Sequence, residues 1–173
     1  KAMAITRVLR KPSFFITFTA NPHWPEITQS LLHGQRSDTR PDLISKVFKV
    51  KLDALLLELK EKHIFGHCIG CVYTIEYQER GLPHAHILLF LHQDDVPRSA
   101  EQVDDLVQAR LHTNNSSLAD VIKRQPTNGP CGPSYPNSVC MRDRKCSKGF
   151  PKRCCEETIV TEGSYPEYAQ PRD

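Results

Sequence analysis

Tyr73-Thr-Ile-Glu76-Tyr-Gln-Glu-Arg-Gly81-Leu-Pro-His84-Ala-His86-Ile-Leu-Leu-Phe-Leu91 reads as a strand carrying an acid, a short turn, and a second strand that opens on His-x-His. Side chains two apart on a strand share a face, so His84 and His86 point one way while Ala85, Ile87 and Leu89 point the other. With the turn centred near Arg80 or Gly81, Glu76 lies across from His84 or His86 on the neighbouring strand. Two imidazoles and a carboxylate on one surface form an open-sided, three-ligand metal site. From the residues alone the alternative is a polar sheet face. A glutamate on a half-buried strand face is costly unless it is paired or coordinated, and the Gly-Leu-Pro turn puts the pair at a strand end, where functional groups gather.

Working outward, Phe14-Phe-Ile-Thr-Phe-Thr19, closed by Asn21-Pro22, predicts a strand covered on both faces and therefore central in its sheet. Phe14, Ile16 and Phe18 share one side; Phe15, Thr17 and Thr19 share the other. Apolar residues at three-and-four spacing predict a helix over Asp42–Glu61, with Pro41 at its start. Ser99 and Gln102 make a capping box for a second helix over Glu101–Leu111, its buried side formed by Val103, Leu106, Val107 and Leu111. After Thr113 periodicity gives way to Asn, Ser, Pro, Gly and Cys. The expected organisation is a core over residues 1–112 and a Cys/Pro-rich basic extension over 113–173. Strand, helix, strand, strand, helix predicts an α+β fold, an antiparallel central sheet covered by helices, with an irregular C-terminal extension.

A chain of 173 residues is long enough for one domain plus an extension. No apolar run approaches the roughly 20 residues of a membrane helix. The opening Lys-Ala-Met-Ala-Ile is not a signal peptide and lacks an initiator Met, so a fragment of a longer protein is expected. Net charge is only +3, but Arg142, Arg144, Lys145, Lys148, Lys152 and Arg153 crowd around a single acid, Asp143. That cluster is either a phosphate-contacting surface or a solvated loop. Seven cysteines without a secretion signal favour a reducing compartment, with metal binding or free thiols rather than disulfides. Cys131, Cys140 and Cys146 with Cys154 or Cys155 offer four thiolates for tetrahedral zinc. His112 is a more distant candidate ligand, and the spacing is not that of a regular C-x-x-C knuckle. Cys68 and Cys71 make a half-site without a partner and are expected to pack. Trp24, beside His23, is either a base-stacking aromatic or loop packing. No partners are evident for His63, His67 and His92.

Three blocks together resemble the Rep nuclease domain of Helitron transposases: Phe14 to Ile27, Ile75 to Leu89, and Gly129-Pro-Cys-Gly132 with Cys140 to Lys152. The resemblance implies a fold of the HUH endonuclease class, whose members nick single-stranded DNA in rolling-circle replication and transposition. By that resemblance His84 and His86 are the metal-binding histidines and Glu76 matches the third ligand, with Mg²⁺ or Mn²⁺ as the suited ion. Thr17, Thr19 or Asn21 would help position DNA. The nucleophilic tyrosines of that family lie on a helix beyond the region where this chain stops. Tyr73 and Tyr77 fall on the face opposite Glu76 and are expected in the core, and Pro166 disfavours a helix through Tyr165 and Tyr168. Arg142, Arg144, Lys145, Lys148 and Lys152 become candidate DNA contacts. Implied partners are single-stranded DNA and a superfamily-1 helicase domain of the same polypeptide, with no membrane and a nuclear location. No G-x-x-x-x-G-K-[S/T] occurs, so this segment does not bind ATP in that manner. The competing expectation is a non-catalytic nucleic-acid-binding module of a decayed element, resting on a Cys-rich zinc site. A cupin-like oxygenase is disfavoured because Leu88 to Leu91 is entirely apolar where that fold wants an acid.

Overall fold

β3, Pro83–Leu91, is the central strand of a three-stranded sheet, with β1 (Phe14–Thr19) on one side and β2 (Cys68–Tyr77) on the other, both antiparallel to it. A computed structural model describes residues 11–77, 82–107, 119–120, 131–150, 152, 154–161 and 166–169. Its contacts divide the chain into two units, Lys1–Val96 and Pro97–Asp173. The expected change of character near residue 113 falls outside the described residues.

Alternation along β3 builds the first unit. Ala85, Ile87 and Leu89 are fully buried. Against them lies helix α2, Pro41–Lys60, through Ile44, Phe48, Leu52 and Leu59. Each large side chain so buried is worth roughly 1.5–3 kcal/mol. Ile27 of the short helix α1, Pro25–Thr28, joins the same cluster. Pro41 sits in the first turn of α2, where a missing N–H costs nothing. Arg40 hydrogen-bonds Asp42 there through both its Nε and Nη2 and holds that carboxyl down at about 2. At the far end Gly66, at φ +115°, lets the backbone meet Asp95, whose Cβ would lie 2.6 Å from any Cβ added at position 66. The Asp95 carboxylate accepts from the His67 N–H at 2.8 Å and ties the entry of β2 to the exit of β3.

Two strand expectations need correction. β1 is not central: among the described residues it pairs with β3 alone, and Phe15 is 61% exposed. Apolar residues on both of its faces do not mean that both are covered. Within the first unit the helices pack on one face of the sheet. Tyr73, Ile75 and Tyr77 do share the helix-side face with Ile87, Ala85 and Pro83, but they are exposed rather than core. The hydrophobic cluster takes Cys68 and Cys71 from β2 and stops there.

In the second unit helix α3 spans Ala100–Leu106. Its capping box is complete: Ser99 Oγ accepts from Gln102 N–H, and the Gln102 side chain accepts from Ser99 N–H. The helix ends earlier than expected because Val107 is extended, at φ −135° and ψ 115°; Leu111 lies outside the described residues. Buried Thr158 donates to the Asp104 carboxylate and accepts from Ala169 N–H. Met141–Arg142 (β4) and Lys145–Cys146 (β5) pair as a minimal hairpin. No described helix is long and apolar enough to cross a membrane.

Candidate metal centres

The register places Glu76 directly opposite His84, with Thr74 opposite His86, and on the other side Thr19 opposite His84 and Thr17 opposite His86. Glu76, His84 and His86 therefore share one sheet face, as the strand period predicts. Two threonines join them. Thr19 Oγ1 lies 2.9 Å from His84 Nδ1, and Thr17 Oγ1 lies 3.3 Å from His86 Nδ1. In the tautomer where Nδ1–H donates to the hydroxyl, each Nε2 keeps its lone pair for a ligand. His86 Nε2 is 3.4 Å from Glu76 Oε2. Phe15 stacks on the His86 ring at 5.7 Å between centroids and 7° between planes, which fixes the imidazole from a third direction.

His84 Nε2 is buried and has no hydrogen-bond partner. Such an atom is expensive unless something outside the chain completes it. Burial pushes the His84 pKa down, neighbouring His86 adds to the shift, and Glu76 opposes it. The imidazole is thus kept neutral, as a ligand must be. The donor set of two imidazoles and a carboxylate fits a divalent cation with open positions. Glu76 leans toward His86, however, and the three ligand atoms do not all lie within 4.8 Å of one another.

Among the described residues, Cys131, Cys140 and Cys146 are the group that meets that distance. Three thiolates can hold a thiophilic metal such as zinc. Cys154 is exposed and stands outside this group, contrary to its expected place as fourth ligand. Neighbouring Cys155 also turns away, its thiol donating to the Tyr168 carbonyl at 3.0 Å. Cys146 is drawn down to about 7, chiefly because the Phe150 backbone N–H bonds its sulfur, with Lys148 N–H and the other two cysteines contributing.

Arg142, Arg144, Lys145 and Lys148 are exposed around the hairpin, and none forms an ion pair with a described residue. Lys152 Nζ sits over the Phe150 ring at 5.5 Å. Trp24 is packing: it stacks on Phe18 at 5.9 Å beneath Lys51 Nζ at 5.1 Å. Asn21 caps its own turn by accepting from His23 N–H. Cys68 and Cys71 are half-buried against the core. His63, His67 and His92 prove to be neighbours, with ring centroids 4.8 and 6.2 Å apart. The threonine partners escaped the sequence because side-chain alternation gives faces but not the register between β1 and β3.

No curated protein matches the chain. Residues 1–89, which contain β1, α2, Glu76 and both histidines, match the model of the Helitron helicase-like domain at the N-terminus, and the chain belongs to that family.

Proposed function

We propose that the Glu76–His84–His86 face is the divalent-cation centre of an HUH-type nuclease that nicks single-stranded DNA within a Helitron-like transposase and helicase. The orphaned, buried Nε2 of His84 is the observation that carries it, set on one face with His86 Nε2 and Glu76. Mg²⁺ or Mn²⁺ bound there supplies Lewis-acid polarisation of the scissile phosphate. The chain does the rest of the positioning. Thr19 and Thr17 hold the imidazole tautomers, and Glu76, exposed beside His86, would complete the ligand set. Exposed Phe15 beside His86 offers a ring on which a base can stack. The attacking group is a tyrosine hydroxyl from outside these residues: its oxygen bonds phosphorus, the 3′ oxygen leaves, and a 5′-phosphotyrosine holds the strand for rejoining. Tyr73 and Tyr77 lie on the opposite sheet face and are unsuited to this attack.

In the second unit Cys131, Cys140 and Cys146 hold zinc, and the surrounding cations contact DNA phosphates. A non-catalytic nucleic-acid-binding protein is the second reading, favoured by the one observation that the three sulfurs converge whereas the imidazoles and carboxylate do not all do so. A longer protein that continues past residue 173, incubated with single-stranded oligonucleotide and Mn²⁺, distinguishes the two. The nuclease forms a covalent DNA adduct that His84→Ala/His86→Ala abolishes. Tight DNA binding with no adduct at any divalent-ion concentration would leave the second reading standing.

A further inference from the structure

Cys140 stands one residue before β4, and Cys146 is the last residue of β5. Their sulfurs, with that of Cys131, meet within 4.8 Å and so close the base of the hairpin. At its tip only Asp143 and Arg144 connect the paired residues Arg142 and Lys145. Both have positive φ, 48° and 63°. A two-residue turn with both residues left-handed matches the twist of a hairpin, and its second position is ordinarily glycine. Arginine there is strained, and a hairpin this short does not hold itself together in water. The turn holds a guanidinium at the point of the loop against that strain, so the clamp at the base must keep the loop.

The base is built to receive a cation. Ser147 N–H donates to the Cys140 carbonyl at 2.8 Å and Gly149 N–H, at φ +69°, to the Cys146 carbonyl at 2.9 Å, so the turn that follows the hairpin folds back on its two cysteines. Buried Met141 turns inward, and its sulfur accepts from Gly132 N–H at 3.3 Å. This places the loop that follows Cys131 beside the hairpin. Arg144, Lys145 and Lys148 are exposed there, Arg142 beside them donates from Nη1 to the Met141 carbonyl at 3.1 Å, and Phe150 is partly exposed below Lys152. Clustered cations beside an accessible aromatic ring suit a single strand, whose phosphates and unstacked bases are both available.

Taking the sulfur site to hold metal, as the proposed function does, we infer that the ion at Cys131, Cys140 and Cys146 is the clamp that shapes the basic hairpin, so that single-stranded DNA binding by this unit depends on occupancy of the sulfur site. With the ion bound the four hairpin and turn cations act as one rigid surface. Without it the turn at Asp143–Arg144 relaxes and the cations disperse.

The test uses the full chain carrying His84→Ala/His86→Ala, so that every metal-linked change comes from the sulfurs. Co²⁺ reports occupancy through thiolate-to-metal charge-transfer absorption, and anisotropy of a labelled oligo-dT reports binding. The loaded protein should bind about ten times more tightly than chelated protein. Four phosphate contacts on a single strand predict that its affinity falls about 50-fold between 50 and 200 mM salt. Cys146→Ser should lose the absorption and the tight binding together. Arg144→Gly, which relieves the turn, should keep the absorption, bind more weakly and lower the salt slope by about 0.7. Intact Co²⁺ absorption with equal affinity in loaded and chelated protein overturns the clamp while leaving the metal site in place. Absence of the absorption overturns the metal site itself. Unchanged DNA binding in Arg144→Gly removes the hairpin tip from the interface.

Discussion

The two candidate metal centres are held in opposite ways. His84 and His86 ride on β3, whose other face is the fully buried Ala85, Ile87 and Leu89 under α2. Their positions follow from a core and exist with or without an ion. Cys131, Cys140 and Cys146 lie at a hairpin of four paired residues and a two-residue turn, in which Met141 is the buried hydrophobic residue, so on the proposed reading the ligands themselves do the holding. A site built on a packed sheet does not depend on its ion for shape; a site at so small a hairpin does.

The largest effect that separates the two comes from the core. Phe48→Ala removes the ring that packs beside Phe18 and should lower unfolding free energy by about 3–5 kcal/mol. Urea unfolding followed by Trp24 fluorescence measures it. The Co²⁺–thiolate absorption should survive the substitution; a parallel loss of both would break the contrast.

Thr19→Val keeps the shape of the strand but deletes the hydroxyl that orients His84. Mn²⁺ affinity should fall about 10-fold or more, with little change in unfolding. An unaltered Mn²⁺ isotherm would show that the threonine merely neighbours the ring. In the second unit Ser99→Ala breaks the capping box and should cost about 1 kcal/mol, visible as faster amide exchange across Ala100–Leu106. Exchange in α2 should stay at its wild-type rate.

The smallest effect is on pH. Burial, with His86 adding to it, depresses His84 below 6.5. Between that lowered value and 6.5 the unfolded chain binds the proton and the folded one does not. Stability from this group is therefore complete above about 6.5 and is lost as pH falls through the window. His84→Asn should flatten the dependence of unfolding free energy on pH there. A steeper decline in the variant would reverse the sign assigned to His84.

The sequence was most legible where its period is strict and its loop is short. His84, Glu76 and the buried face of β3 followed from alternation and from the five residues that separate the two strands in the sequence. The helix over Asp42–Glu61 appeared within a residue of its place, because apolar spacing and Pro41 mark it without help from tertiary contacts. Legibility failed where long-range packing decides. Phe14–Thr19 looked central because both faces are apolar, yet Phe15 is exposed and stacked on His86. Thr17 and Thr19 were seen on the correct face without the imidazoles they hold, since only the β1–β3 register shows that pairing. The cysteines gave a metal set without its membership, because Cys154 is no farther along the chain from Cys146 than Cys131 is from Cys140. Only the fold of the hairpin separates them. Val107 read as helix because its period fits, and it is extended instead.

Titration calorimetry with Mn²⁺, a hard ion that shuns thiolates, addresses the histidine site most directly. Wild-type protein should take up one ion, and His84→Ala/His86→Ala should take up none while still binding Co²⁺ through its cysteines. Equal Mn²⁺ uptake by the two proteins would contradict the assignment of that sheet face as a metal centre.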